Sequence, residues 1–385
     1  MHATRNMPTQ RTTKSSTTDD LANDSVDSLE GGALPMGSTL LCTVGKLQAA
    51  TIALQIPPDG LCDLVFYTNV KLRHWSNGSQ AITANRAVWI PFRRAAADAE
   101  LTGYGISFPQ RIIENTTKYL DSVEATQQVQ SLLKANIQNF GMLTLSVNSK
   151  DYRQEKQKGR RLFEVLKSIQ QRLPSEERGR RRERVLGLAF RSYRDDRELS
   201  RHPAVMEDLS ASFDITMFIS LTHVRTWTQS RLAISGTIWS SWTSSGSRLD
   251  EVTLKSTAEH LKAANISDNI TTLASYTLGA GRFSHREHAT EDDRLSTATG
   301  GQEVAFTEYC NKKYTHDYTG PGKIRVAGST DRTSITFEDT ATMKLKADKF
   351  FGIYRHEMQG WALFDADFDD FNNSCGLGAF HRIRE

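Results

Sequence analysis

"NFGMLTLSVNSKDY", residues 139–152, begins apolar, turns small and hydroxylated, and ends in Asn148-Ser149-Lys150-Asp151. Read with the two-residue period of a strand, Leu145, Val147 and Ser149 share one face and Ser146, Asn148 and Lys150 the other. The first face suits packing against helices. The second suits the inside of a closed sheet.

Seven more stretches read as strands of the same kind: "STLLCTVGKL", "CDLVFYTNV" after the turn signal "PPDG", "LTGYGISF", "RVLGLAF", "FDITMFISL", "NITTLASYTLGA" and "QGWALFDADFDDF". Helical periodicity separates several of them. Residues 110–137 carry Ile112, Ile113, Tyr119, Leu120 and Val123 at mixed steps of three and four, and "GRRLFEVLKSIQQRL" places Leu162, Phe163, Val165, Leu166 and Ile169 on one side. Eight strands alternating with helices predict an α/β protein, one (β/α)8 TIM barrel over residues 38–385. The stretch 281–349 before the last strand exceeds a usual βα connection and predicts an inserted α+β subdomain. Residues 1–37 are rich in Ser, Thr and Asp with little to bury, the signature of a disordered leader.

Bulk properties narrow the function classes. A chain of 385 residues with 38% hydrophobic and 9% aromatic residues can fill a large core, and a formal charge of +3 gives no general pull on nucleic acid. No apolar run reaches the roughly 20 residues of a membrane span. The opening "MHATRNMPTQRTTKSSTTDD" has no apolar core of a signal peptide. The protein is therefore cytosolic, or its N-terminus is incomplete or unconventional.

The four cysteines, Cys42, Cys62, Cys310 and Cys375, form no C-x-x-C motif and allow three pairings. Buried thiols and two disulfides of an oxidising compartment are the competing readings, and the second is preferred. Sequons at Asn23, Asn77, Asn115, Asn265, Asn269 and Asn372 agree with it, although such triplets also arise by chance.

Other signals are set aside. The basic "RLPSEERGRRRERV", 172–185, has interleaved Glu176, Glu177 and Glu183 and no stacking aromatics, so it reads as a solvated helix end, with an acidic glycan as its functional version. "SHREHATED", 284–292, scatters His285, Glu287, His288 and Glu291 without metal-ligand spacing, so no metal is expected. No nucleotide-binding glycine motif follows a strand and there is no G-x-S-x-G nucleophile, so no cofactor is expected.

The segments "WALFDADFDDFNNSCG", "QEVAFTEYCNKKY" and "ITFEDTATMKLKADKF" occur in an order, and with a cysteine placement, that resembles glycoside hydrolase family 18, the chitinases and chitinase-like proteins. The likeness runs from about residue 38 to 383 and is nearest to the divergent secreted members of arthropods. It implies disulfides Cys42–Cys62 and Cys310–Cys375, and an extracellular protein, secreted or surface-displayed. In such a protein the sequons at Asn77, Asn115, Asn265, Asn269 and Asn372 are the glycosylation candidates.

The resemblance also implies a lost site. The family's fourth strand carries D-x-x-D-x-D-x-E, and those acids fall here on Leu143, Ser146, Asn148 and Lys150. In this family the last Glu protonates the glycosidic oxygen while the substrate's own acetamide attacks. A lysine, with an ordinary pKa of about 10.4, is a poor proton donor at neutral pH and sets positive charge beside a developing cation. Sliding the register by one would bring in Asp151 but turn Leu145 and Val147 into the interior. The family's M-x-Y-D on the sixth strand falls on Leu221 and Thr222.

What can remain is binding. Phe364 replaces the family's floor tryptophan, and Tyr104, Trp75 and Asn148 are further ligand candidates, with ordinary packing the competing reading for each aromatic. The expectation is a pseudoenzyme binding chitin or another N-acetylglucosamine glycan. Its rivals are a hydrolase using other groups and an interaction protein with a closed cleft and a protein partner.

Overall fold

The computed structural model describes residues 39–46, 56–74, 80–147, 151–172, 184–192, 202–225, 233–240, 243–244, 247–248, 253–285, 298–310, 314, 316–320, 323–328, 332–354 and 359–385. The leader 1–37, Trp75, Asn77, Asn148 and Lys150 lie outside these residues, as does nearly all of the basic stretch 172–185.

Eight parallel strands close a barrel. They are β1 (Thr39–Val44), β2 (Leu64–Tyr67), β3 (Gly103–Ser107), β4 (Ile137–Val147), β5 (Leu186–Ser192), β6 (Met217–Ser220), β7 (Thr271–Thr277) and β8 (Gly360–Phe364). Each matches one of the eight stretches read from the sequence. Closure comes from β1, which pairs with β2 at Leu41↔Leu64 and with β8 at Leu41↔Ala362.

Alternation sorts the side chains into two cores. Leu41, Leu64, Phe66, Leu143, Ala189, Met217, Ile219, Leu273, Ala362 and Phe364 fill the barrel interior. Val65, Ile106, Phe140, Leu145, Leu188, Phe218 and Tyr276 point outward against the helices. The amphipathic stretch forms the helix Tyr152–Gln171, whose buried side is Gly159, Leu162, Phe163, Leu166, Ile169 and Gln170. The periodic stretch 110–137 is not one helix. A short 3-10 turn and the helix Ile113–Leu120 end at Asp121, and Val123–Lys134 starts afresh after Ser122.

Between β7 and β8 lies a five-stranded antiparallel sheet. Its strands are Ala298–Val304, Ala280–His285, Thr333–Phe337, Arg325–Gly328 and His316–Thr319, in spatial order. A fully buried ion pair ties this sheet to its surroundings. Lys346 Nζ lies 2.5 Å from both oxygens of Glu338 and donates to the Thr237 carbonyl at 2.7 Å. Burial pushes the Glu338 carboxyl up and the Lys346 ammonium down, and the charge each presents to the other opposes that.

Both disulfides implied by the resemblance are present. Cys42–Cys62 pins β1 to the segment entering β2, and Cys310–Cys375 joins the inserted region to the C-terminal segment. They close loops of 20 and 65 residues. Chain-entropy arguments give about 3 and about 4 kcal/mol respectively. Cys42→Ala/Cys62→Ala and Cys310→Ala/Cys375→Ala double variants are expected to lower the denaturant midpoint, the second pair more. Equal midpoints for wild type and variants would contradict this.

A second fold-level prediction concerns two histidines on neighbouring helices, His202–Ser212 and Leu254–Ala263. His202 Nδ1 and His260 Nδ1 lie 3.3 Å apart, and the Phe190 ring stands edge-on to His202. Burial, then the neighbouring His260, holds His202 down at about 4, and burial lowers His260 too. As pH falls from about 6.5 to about 4, the unfolded chain takes up a proton that folded His202 refuses. The stability it contributes is complete above that window and is lost on descending through it, by at most about 1.4 kcal/mol per pH unit. A His202→Phe variant is expected to show a flatter fall of Tm between pH 6.5 and 4 than wild type.

Candidate functional site at the barrel mouth

The mouth is built by the carboxyl ends of the strands, where the interior changes from apolar to polar. On β4 the change involves a bulge. β4 advances from Met142 to Leu145 while β5 advances only from Leu188 to Phe190. Leu143 and Thr144 thus share the place opposite Ala189. Leu143 turns into the apolar interior, whereas Thr144 is exposed at the mouth. The backbone also needs Gly141 there, since a Cβ on it would stand 2.5 Å from the Gly187 carbonyl oxygen.

A cleft of about 770 Å³ opens over the ends of β2, β3 and β4. Its walls include Thr68 and Asn69 after β2, the turn Pro109–Asn115 after β3, Thr144 and Ser146 on β4, and Asp151, Glu155 and Lys158 at the start of the following helix. One side chain organises these parts. Gln110 accepts from the Ser146 N–H at 2.8 Å and donates to the Ser146 carbonyl at 3.0 Å, and its amide also donates to Glu155 Oε2 at 2.8 Å. Glu155 Oε1 receives Lys158 Nζ at 2.9 Å, and Glu114 contacts the same ammonium at 3.1 Å. The hydrogen bonds to Glu155 and then Glu114 raise the Lys158 pKa.

The β6–β8 side is different. There the polar groups satisfy one another. The Thr222 N–H donates to Ser275 Oγ at 2.9 Å, Thr222 Oγ1 donates to the Ser275 carbonyl at 2.5 Å, and His223 Nδ1 lies 2.7 Å from Ser275 Oγ. Thr277 donates to Asp365 Oδ2 at 2.9 Å, and the Asp365 N–H donates to Thr43 Oγ1 at 3.0 Å. Asp365 holds φ at 63°, a left-handed conformation that aspartate tolerates better than most residues. The His223 ring stands 4.7 Å from that of Phe364, and Thr222, His223, Ser275 and Phe364 are all buried.

No family model matches this sequence, and neither does any curated protein. Solved structures do match. Human YKL-39, a pseudo-chitinase with retained chitooligosaccharide binding, superposes with a TM-score of 0.65 at 12% identity, covering 90% of this chain and 98% of that one. The Group IV chitinase of Ostrinia furnacalis gives 0.62 at 12% identity over 90% and 97%. A glycoside hydrolase family 18 N-acetylglucosaminidase from Paenibacillus barengoltzii gives 0.56 at 10% identity over 89% and 99%. The chain has the fold of the family 18 chitinases and chitinase-like proteins.

On this chitinase fold the residues named from sequence fall in different places. Leu143 and Leu221 belong to the apolar interior, and Ser146 lines the cleft. Thr222 is part of the buried network, so the end of β6 has not lost its polar groups; they are turned to Ser275 rather than to solvent. Phe364 faces the interior but is only 5% exposed beneath His223, which leaves no open ring face on that side. Tyr104 requires correction as a ligand candidate. It points outward from the barrel, 1% exposed, with its ring 5.4 Å from Phe92, and burial pushes its phenol up to about 12. His285 is buried beside Ser334 at 2.6 Å. The acids after Phe364 also have structural partners. Asp367 accepts from the Gly45 and Lys46 N–H groups, Asp369 pairs with Arg382 at 2.6 Å, and Asp370 accepts from Ser374 and Cys375.

Thr144, Gln110, Glu155, His223, Ser275 and Asp365 were missed in the sequence. Only Thr144 had a usable signal, the three-two-two spacing itself, because such spacing needs one extra residue in a strand. Drawn from Gly141 that spacing runs through Thr144 and Ser146 to Asn148, and drawn from Leu143 through Ser146 and Asn148 to Lys150. Neither course contains a carboxylate.

Replacing Gln110 tests the architecture of the cleft. Gln110→Ala strips the Ser146 backbone of both amide contacts and Glu155 of one donor, and is expected to cost about 1–3 kcal/mol. Chemical denaturation checks this, and an unchanged midpoint would show that the clasp contributes nothing.

Proposed function

We propose that this chitinase-fold protein is a pseudoenzyme that holds a short N-acetylglucosamine oligomer, or a related glycan, in the cleft over β2–β4 without cleaving it. The observation that carries this is the inward face of β4. Its described residues Gly141, Leu143, Thr144 and Ser146 offer no carboxylate, and the family reaction needs one as the proton donor. Glu155 does line the cleft, but both its oxygens already accept hydrogen bonds, from Lys158 and Gln110, so neither presents a proton to a ligand. Thr68, Asn69, Asn115, Thr144 and Ser146 supply neutral hydrogen-bonding groups of the kind a sugar uses.

The volume lies within the range of roughly 300–1,000 Å³ that takes small ligands. None of the described wall residues is aromatic, so these residues add little stacking and binding is modest. Human YKL-39, of the same fold, is a pseudo-chitinase that retains chitooligosaccharide binding, which supports the same division of roles here. Two disulfides favour an oxidising compartment, so we read the protein as secreted or surface-displayed.

Chitotriose titrated into the folded protein is expected to bind with a Kd of about 0.1–1 mM, or about −5.5 to −4 kcal/mol. Thr144→Trp, which fills the cleft, should weaken it at least tenfold. A chromogenic chitobioside should give no release above background. Turnover that disappears in Glu155→Gln or Asp151→Asn would instead make the protein a hydrolase using those acids.

A further inference from the structure

Asn115 is both a sequon and a wall of the cleft. It opens the triplet Asn115-Thr116-Thr117 on the helix Ile113–Leu120, its side chain is exposed, and it borders the same space as Thr144 and Ser146. The other described sequons stand elsewhere. Asn265 and Asn269 are exposed in the connection entering β7, at the amino end of the barrel strands, and Asn372 is exposed in the loop after β8. Among the described sequons, only that at Asn115 lines the cleft.

We infer that Asn115 carries an N-linked glycan and that the first two sugars of this glycan occupy the protein's own cleft. In the modifying step, Asn115 Nδ2 attacks the anomeric carbon of a polyprenyl-diphosphate-linked oligosaccharide. A C–N bond forms, the bond from that carbon to the diphosphate oxygen breaks, the diphosphate leaves with the electron pair, and the amide loses one proton. Transfer acts on the extended chain before folding, so the later helix does not prevent it. The sugars installed are two β1,4-linked N-acetylglucosamines, the same chemistry as the chitin fragment proposed above as ligand. The inference therefore rests on that reading of the cleft and of the compartment.

Attachment at the rim changes the concentration that the cleft experiences. A ligand held by a short tether is present at an effective concentration on the order of millimolar. Against a site of about 0.1–1 mM, such a tether fills the cleft half to nine-tenths of the time, and weakens an external competitor by roughly two- to tenfold. Glycosylation at Asn115 thus sets whether the cleft is open to soluble glycan.

The test uses the full chain secreted from a host that attaches N-glycans, and the same chain as Asn115→Gln. Enzymatic deglycosylation under denaturing conditions, which converts each occupied Asn to Asp, reads occupancy by peptide mapping. The same treatment of the native protein reads shielding. The expected result is an occupied Asn115 released at least about tenfold more slowly than Asn372 in the native state, and chitotriose affinity two- to tenfold tighter in Asn115→Gln. An unmodified Asn115, or a glycan released as fast as that at Asn372, overturns the inference. Shielding with no soluble binding in either form leaves the self-filled cleft standing and removes the soluble-ligand reading. Equal chitotriose affinity in both forms overturns the inference while leaving that reading intact.

Discussion

β1 carries the constraint on which the remaining structure depends, because it must hydrogen-bond to β2 on one side and β8 on the other for the sheet to close. Closure removes both edges of the sheet and fixes which side chain of every strand faces in. The Cys42–Cys62 disulfide fastens this strand to the approach of β2 from the outer face. Once the ring is shut, the lower interior is filled by aliphatics such as Leu41, Leu64, Met217 and Leu273, and the inward positions above them fall at the mouth. Everything chemical happens in that upper layer.

The upper layer is asymmetric, and hydrogen bonding explains why. Over β6–β8, Thr222, His223, Ser275, Thr277 and Asp365 lie close enough to satisfy one another, so that side is sealed around Phe364. Buried polar groups left unpaired would each cost about 1–3 kcal/mol, and mutual pairing avoids this without water or ligand. Over β2–β4 the β4 bulge pushes Thr144 out, and Gln110 spends its amide on the Ser146 backbone and Glu155. The hydroxyls and amides around it line open space. A ligand that offers many hydroxyls and amides is what such a surface complements.

Much of the fold was legible. Eight short, mostly apolar stretches separated by helical stretches identify the barrel, because parallel strands buried on both faces read as near-continuous apolar runs, and the cysteine pairing implied by the family resemblance holds in space. The break between Leu120 and Val123 was not legible, since apolar spacing continues across Asp121-Ser122 and only the packing of two separate helices shows the interruption. The site was less legible still. Tyr104 reads as a possible platform until the sheet shows which face it occupies, and strict alternation cannot register the extra residue at Leu143–Thr144.

The sequence by itself determined the number and character of the strands, the absence of acids at either course of the three-two-two spacing, and the presence of a sequon at Asn115. Those are properties of order along a line. Only the tertiary structure decided that Asn115 borders the same cleft as Thr144, that Glu155 is held between Lys158 and Gln110, and that His223 covers Phe364. Each depends on residues far apart in the chain meeting across the closed ring, and such a meeting is set by strand register and closure rather than by any local preference of the chain.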